Sequence, residues 1–219
     1  MITLHHLNNS RSQRILWLME ELGLPYEIKR YQRNKVTMLA PPELKAIHPL
    51  GKSPVITDGD LVIAESGAIV EYLVNKYGQG RLKPSSEKEQ LRYTYWLHYA
   101  EGSAMPPLLL ALIFNKIDAN APFLVKPITS KITGTVRDMF INPQLKTHFD
   151  FMESELTKNN WFAGTEFSAA DIQMSFPVEA AESRGYLSER PKLKEYLNKI
   201  HSRPAYQKAL ERGGEYHII

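Results

Sequence analysis

The apolar and polar positions change period several times in the first third of the chain. Ile2 to Leu7 alternates well enough for a strand, and a polar junction, Asn8-Asn9-Ser10-Arg11-Ser12, follows it. Ile15, Leu18, Met19 and Leu22 then recur at helical spacing, with Gly23 as a stop and Pro25 beyond. Tyr26 to Tyr31 is a second strand, with Tyr26 and Ile28 on one face. Residues 32 to 40 read as a mobile loop. Pro41-Pro42-Glu43-Leu44 starts a short helix, because the N–H that proline lacks is unpaired in a first turn anyway. Val55 to Thr57, the Asp58-Gly59 turn and the returning Leu61 to Ile63 form a hairpin, since tight turns that match strand twist need positive φ, which Gly and Asp tolerate. Ile69, Leu73 and Tyr77, with Tyr72 adjacent, make a helical stripe ending at Gly78. This order predicts a parallel βαβ unit followed by an antiparallel hairpin, a mixed sheet with helices on its faces.

Strand patterns vanish beyond Gln79 to Ser86, a stretch whose Gly80, Pro84 and two serines read as an interdomain linker. Leu91, Tyr95, His98 and Tyr99 are spaced as on one helix face, and Pro106-Pro107 should interrupt or bend that helix. Leu108 to Phe114 resumes an apolar run, and Leu145, Phe149, Met152 and Leu156 make another stripe after Pro143. Phe167-Ser168-Ala169-Ala170-Asp171-Ile172 contains a capping box, Ser168 with Asp171, and Phe167 and Ile172 have the spacing of a hydrophobic staple. Such a cap stabilises by about 1 kcal/mol. Pro191 to His201 and Pro204 to Leu210 supply two last helices. The expected organisation is an α/β domain over residues 1–79 and an all-helical domain over residues 87–219.

Composition narrows the chemistry more than the fold. With 43% apolar and 23% charged residues the chain of 219 residues is ordinary and globular. The net charge is +3 with no block of Lys and Arg, so nucleic acid is not an expected partner, while a small anion suits the mild positive bias. The absence of cysteine excludes disulfides, thiolate metal sites and any mechanism that uses a protein thiol. The seven histidines lack ligand spacing, and His5 and His6, adjacent on a strand, point to opposite faces. No metal is expected. The N-terminus is no signal peptide and no apolar stretch reaches membrane-spanning length, so a cytoplasmic location without a membrane span is expected.

The stretch from His48 to Ser66 carries the most chemistry. Pro54 at the mouth of a strand cannot donate to a ladder and belongs at an edge or a first position. If the Ser53-Pro54 bond is cis, the backbone of Ser53 faces outward and is free to pair with an extended peptide. Ser66, at a helix start, offers a hydroxyl and orphan N–H groups that suit a carboxylate. Glu65 suits an ammonium, or is a solvated charge favourable near a helix N-terminus. Together these read as a small-peptide pocket. Ser10, at the hand-over from strand to helix, has three readings. It can cap the helix, since Ser10-Arg11-Ser12-Gln13 fits the capping-box pattern. It can be a nucleophile, though no Gly-x-Ser-x-Gly elbow is present. Or it can donate a hydrogen bond to a bound thiolate. A free thiol has a pKa of ~8.5 and each unit of lowering takes ~1.4 kcal/mol. A bond to a charged group gives roughly 1.5–3 kcal/mol and a helix N-terminus roughly 0.3–1 more, so a hydroxyl suffices for about two units.

These residues, in order, resemble a cytosolic glutathione S-transferase of the serine type, and the match runs essentially end to end. It is carried by Ser10-Arg11-Ser12-Gln13-Arg14 leading into Trp17 to Gly23, by His48 to Pro54, by Glu65-Ser66, by the Phe167 to Asp171 box and by Arg203-Pro204-Ala205-Tyr206. The resemblance implies a thioredoxin-like N-terminal domain (1–79), an all-α helical C-terminal domain (87–219) with a second-substrate pocket at their interface, and a homodimer. It implies glutathione as co-substrate and conjugation of its thiolate to small electrophilic, apolar substrates, with glutathione-dependent peroxidase activity compatible with the same site. Ser10 resembles the activating serine, with Ser12 and Asn9 as alternatives. Ser53, before Pro54, resembles the residue whose backbone pairs with the cysteinyl part. Glu65 and Ser66 resemble the pair that holds the γ-glutamyl head. Lys52 is placed for the glycyl carboxylate, or is an exposed turn residue. His6 stands where other classes carry an activating tyrosine, and Ser53 where valine is usual; since only its backbone is needed, little effect is expected. Trp96, His98, Tyr99, Met105 and Phe114 either line the second-substrate pocket or form core. The rival function is a glutathione-binding interaction module of the same fold without turnover.

Overall fold

Strand β1 (Ile2–Leu7) is the middle of the N-terminal half and is buried on nearly every residue, because a strand flanks it on each side. In the computed structural model, which describes residues 1–214 and 216–218, β1 pairs in parallel with β2 (Tyr26–Tyr31) and antiparallel with β3 (Val55–Asp58). Strand β4 (Leu61–Ala64) closes the hairpin, so the four-stranded sheet runs β2-β1-β3-β4. The register places Leu4 between Ile28 and Ile56. This is the mixed α/β sheet expected from the pattern.

Helix α1 (Ser12–Leu22) makes the crossover between β1 and β2 and is buried from Ser12 to Met19. Gly23 ends it at φ 66, with its N–H donating to the Glu20 carbonyl and that of Leu24 to the Met19 carbonyl, a left-handed cap that side chains disfavour. Helix α2 (Pro42–Ile47) begins at its proline as predicted. Residues 32–40 form an irregular loop in which the Asn34 side chain accepts from the Val36 and Thr37 N–H groups. Helix α3 (Ser66–Tyr77) follows the hairpin.

From there to the end every regular element among the described residues is helical: α4 (Glu87–Tyr99), α5 (Met105–Asn120), α6 (Lys126–Val136), α7 (Asn142–Lys158), α8 (Ala169–Glu182), α9 (Pro191–His201) and α10 (Pro204–Gly213). Helix α8 is buried along almost its whole length. The Ser168–Asp171 capping box forms at its start, and Asp171 also accepts from the Phe162 N–H. The Phe167 ring meets Trp17 and Trp161, and the Arg203 guanidinium lies over it at 3.7 Å.

One expectation is corrected and another refined. On α4 the residues that face the core are Tyr93, Trp96, Leu97 and Tyr99, whereas Leu91 and Tyr95 are 73% and 47% exposed. The helix carries apolar residues on two faces, and spacing cannot say which one the rest of the molecule covers. The interruption expected at Pro106-Pro107 does occur, but without leaving helical geometry. A π-helical segment, Ala100–Ala104, joins α4 to α5 just upstream. Its wider turn resets the hydrogen-bond ladder, so the two prolines fall in a first turn where no donor is needed.

Candidate active site

Between the β3 mouth, the start of α3 and the start of α1 lie two adjoining cavities. The first, about 290 Å³, is lined by His48, Lys52, Ser53, Pro54, Glu65 and Ser66, with Arg11 and Glu101 on its far wall. The second, about 340 Å³, holds Asn9, Ser10, Arg33, Met38, Lys45 and Phe176. Both are bounded by Arg11, Leu50, Lys52 and Ser53, so they form one cleft. Every residue singled out as a candidate contact, Ser10, Lys52, Ser53, Pro54, Glu65 and Ser66, lines it.

The Ser53-Pro54 peptide is cis. The Ser53 side chain is itself engaged: its hydroxyl donates to the His5 carbonyl at 3.0 Å and accepts from the Leu7 N–H at 3.3 Å. That hydroxyl therefore ties the loop to the end of β1, a role a valine would not fill.

Glu65 precedes α3 with φ 72, a backbone conformation that L side chains rarely adopt. Ser66 is buried and its hydroxyl accepts from the Arg14 Nη2 at 3.0 Å. Arg14 itself is buried and reaches the Gln173 carbonyl at 2.6 Å and Glu101 Oε1 at 2.5 Å. Arg11 approaches the same carboxylate, with Nε at 2.8 and 3.0 Å from its oxygens, and its guanidinium lies 4.5 Å from the Phe176 ring centre. Burial alone would raise Glu101, but Arg14 and Arg11 outweigh it and hold the carboxyl below its usual range. The cleft is thus ringed by Arg11, Arg33, Lys45 and Lys52 against Glu65 and Glu101, an excess of positive charge suited to an acidic peptide.

Ser10 is not the N-cap of α1. The helix begins at Ser12 and its N-cap is Arg11, which makes no side-chain cap; of the helix N–H groups Ser10 Oγ accepts only that of Ser12, at 3.3 Å. The Ser10–Gln13 capping box fails because the late start puts Gln13 in the second helical position. There its side chain is buried against α10, where its Oε1 fills the space a Cβ on Gly213 would need. Ser10 Oγ instead donates to the Leu7 carbonyl at 2.7 Å and lies 2.8 Å from Ser12 Oγ. Ser12 is fully buried, with its Oγ 2.8 Å from His6 Nδ1. The Asn9 side chain accepts from the His217 N–H. Burial, with help from Arg30, pushes His6 down to about 4.

Sequence reasoning missed Arg11, Arg14, Glu101 and Phe176. Arg14 left a signal: Ile15 to Met19 is an unbroken apolar run, a helix covered all round, in which a neighbouring arginine must be buried too. Glu101 left none, being 87 residues from Arg14. Trp96, Tyr99 and Met105 are buried in the helical core and His98 is exposed; Met38, Leu39 and Phe176 supply the apolar wall of the cleft.

Two family models match the chain: glutathione S-transferase, N-terminal domain, over residues 1–75, and glutathione S-transferase, C-terminal domain, over residues 141–204. Glutathione S-transferase 3 of Schizosaccharomyces pombe is 39% identical over 97% of this chain and 88% of its own length. Glutathione S-transferase 1 of Saccharomyces cerevisiae is 34% identical over 97% and 95%. Among solved structures, a glutathione S-transferase from Actinobacillus pleuropneumoniae superposes with a TM-score of 0.78 at 35% identity, covering 97% of this chain and 93% of that one. A family member from Pseudomonas fluorescens, solved with two glutathione bound, gives 0.73 at 28% over 96% and 92%.

Proposed function

Because the chain belongs to the glutathione S-transferase family, we propose that its cleft binds glutathione, that Ser10 holds the thiol as a thiolate, and that this sulfur attacks a small, largely apolar electrophile. The observation that carries the proposal is the junction of the two cavities at Ser53. One cavity contains the Glu65–Ser66 helix start, the other the Ser10 hydroxyl, and an extended tripeptide laid along the Ser53 backbone reaches both. In this reading the γ-glutamyl ammonium meets Glu65, its carboxylate meets Ser66 with Arg14 behind it, and the glycyl carboxylate meets Lys52. The electrophile enters beside Met38, Leu39 and Phe176. Residues 1–79 then bind glutathione and residues 87–219 complete the second-substrate side.

The Ser10 proton is already bonded to Leu7 in the structure, which lowers the gain on donating to sulfur. A bond to a charged acceptor replaces a neutral one, so the net is about 1 kcal/mol, or somewhat under one pK unit. The start of α1 and the cationic rim supply the remainder by preferring an anion. Catalysis is ionisation and proximity, without a covalent enzyme intermediate. A thiolate so held also suits reduction of organic hydroperoxides. The proposed assembly is a homodimer and the proposed location the cytoplasm, where thiols are kept reduced.

Purified protein is to be assayed with glutathione and a chlorinated aromatic acceptor. Turnover is expected, and Ser10→Ala is expected to raise the pKa of the bound thiol by about one unit while affecting binding little. Protein that binds glutathione but shows no turnover with any electrophile would return the chain to the binding-module reading. An unchanged thiol pKa in Ser10→Ala would move the role to Ser12 or Asn9.

A further inference from the structure

We propose that Ser12 and His6 form a proton relay behind Ser10, taking the thiol proton of bound glutathione from the cleft to a separate groove and turning the Ser10 hydroxyl toward the sulfur as they do so. This rests on the glutathione reading above. Ser10 Oγ lies in the cleft wall, Ser12 Oγ is 2.8 Å behind it, and His6 Nδ1 is 2.8 Å behind that. Ser12 is fully buried. His6 lines a groove of about 280 Å³ with Asn8, Arg30, Gln32 and Gly214. The three side chains thus connect one surface depression to another through a buried centre.

Hydrogen-bond arithmetic gives the chain a direction. With Nδ1 turned to Ser12, Nε2 is the nitrogen left to face the Gly213 backbone across the groove, and the relay takes the tautomer with its proton there, which leaves Nδ1 as an acceptor. Ser12 must then spend its single proton on His6, and the Ser10 proton, bonded to the Leu7 carbonyl at rest, turns to Ser12 Oγ when an S–H arrives. The hydroxyls point away from the cleft, and Ser10 presents lone pairs to it, the arrangement that receives an S–H.

Ionisation reverses the chain. The S–H bond breaks and its electron pair stays on sulfur. That proton bonds to Ser10 Oγ, the Ser10 proton passes to Ser12 Oγ, and the Ser12 proton passes to Nδ1. Ser10 now donates to the thiolate, and the imidazolium gives its extra proton to solvent in the groove. The groups facing His6 are Ser12 from α1, Arg30 from β2 and the Gly213 carbonyl from α10, with no carboxylate bonded to it among the described residues. Burial and Arg30 keep the imidazole a neutral acceptor at neutral pH, so its charged form is short-lived. Ser12 and His6 therefore act on the rate of ionisation, as positioning residues, and not on its equilibrium.

The test follows the ultraviolet absorbance of the thiolate after rapid mixing with glutathione, with S-methylglutathione, which has no thiol proton, as the binding control. His6→Asn keeps an acceptor for Ser12 but takes up no proton; Ser12→Ala cuts the chain in its middle. Each is expected to slow thiolate formation about a hundredfold, the low end of what a positioned acid–base group contributes, with unaltered affinity for S-methylglutathione by calorimetry. Thiolate formation at the unmodified rate in either variant overturns the relay. So does loss of S-methylglutathione binding in both, which makes the residues structural. Failure of the unmodified protein to bind S-methylglutathione overturns the glutathione reading and the relay with it.

Discussion

Glu101 sits between two guanidinium groups, one buried and one half-exposed, and its carboxylate keeps Arg14 neutralised beneath Ser66. Its side chain is 31% exposed, so the loss on Glu101→Gln is discounted from that of a fully buried pair to about 2 kcal/mol. Its folded carboxyl titrates below the usual range. The stability it contributes is therefore present above the ordinary carboxylate pKa and lost as pH falls through the lowered one. Urea midpoints measured against pH should show a flatter acid limb in Glu101→Gln; an unchanged limb would remove Glu101 from the account. Glu65→Ala, by contrast, should raise the half-saturating glutathione concentration roughly tenfold, as expected for loss of one charge-assisted contact, with little change in kcat. An unaltered half-saturation would place Glu65 in solvent. Of these two acids only Glu65 was legible in the sequence, because its neighbours Ser66 and the helix start mark it locally. Glu101 is assigned to the site by a contact across 87 residues, and no spacing rule reaches so far.

At the scale of elements the start of α8 is the clearest test of local chemistry. Asp171 accepts from the Ser168 and Phe162 N–H groups in a fully buried setting. Asp171→Ala leaves both donors without a partner, and a loss of about 3 kcal/mol in chemical denaturation is expected. Burial also raises this carboxyl to about 6, opposite in sign to Glu101. The native state holds the Asp171 proton more tightly than the unfolded chain, so its contribution falls as pH rises from about 4 to about 6. Asp171→Asn should remove that slope, and a slope that persists would assign it elsewhere. This cap was legible because all its parts lie within a few residues. The similar pattern at Ser10 to Gln13 was not realised, since packing of α1 between the sheet and α10 decided where the helix begins.

For the whole molecule, Leu91 and Tyr95 on α4 and Phe151 on α7 line an open apolar hollow of about 440 Å³, a face that the proposed homodimer would cover. Sedimentation is expected to give twice the 25.1 kDa chain mass. Replacing both Leu91 and Tyr95 with Glu should shift it toward the single chain, because charges are depleted from interface cores. A monomeric unmodified protein, or a dimer indifferent to both changes, would count against that face. What residue order alone settled were the sheet, most of the helices and part of the cleft lining, because periodicity, turn chemistry and caps act between near neighbours. What awaited the folded chain was the covered face of α4, the Arg14–Glu101 pair, the Ser53 hydroxyl on β1 and the Ser10–Ser12–His6 row. Each of those depends on segments distant in sequence meeting in space, and burial, which sets their charge and hydrogen bonding, does not exist until they do.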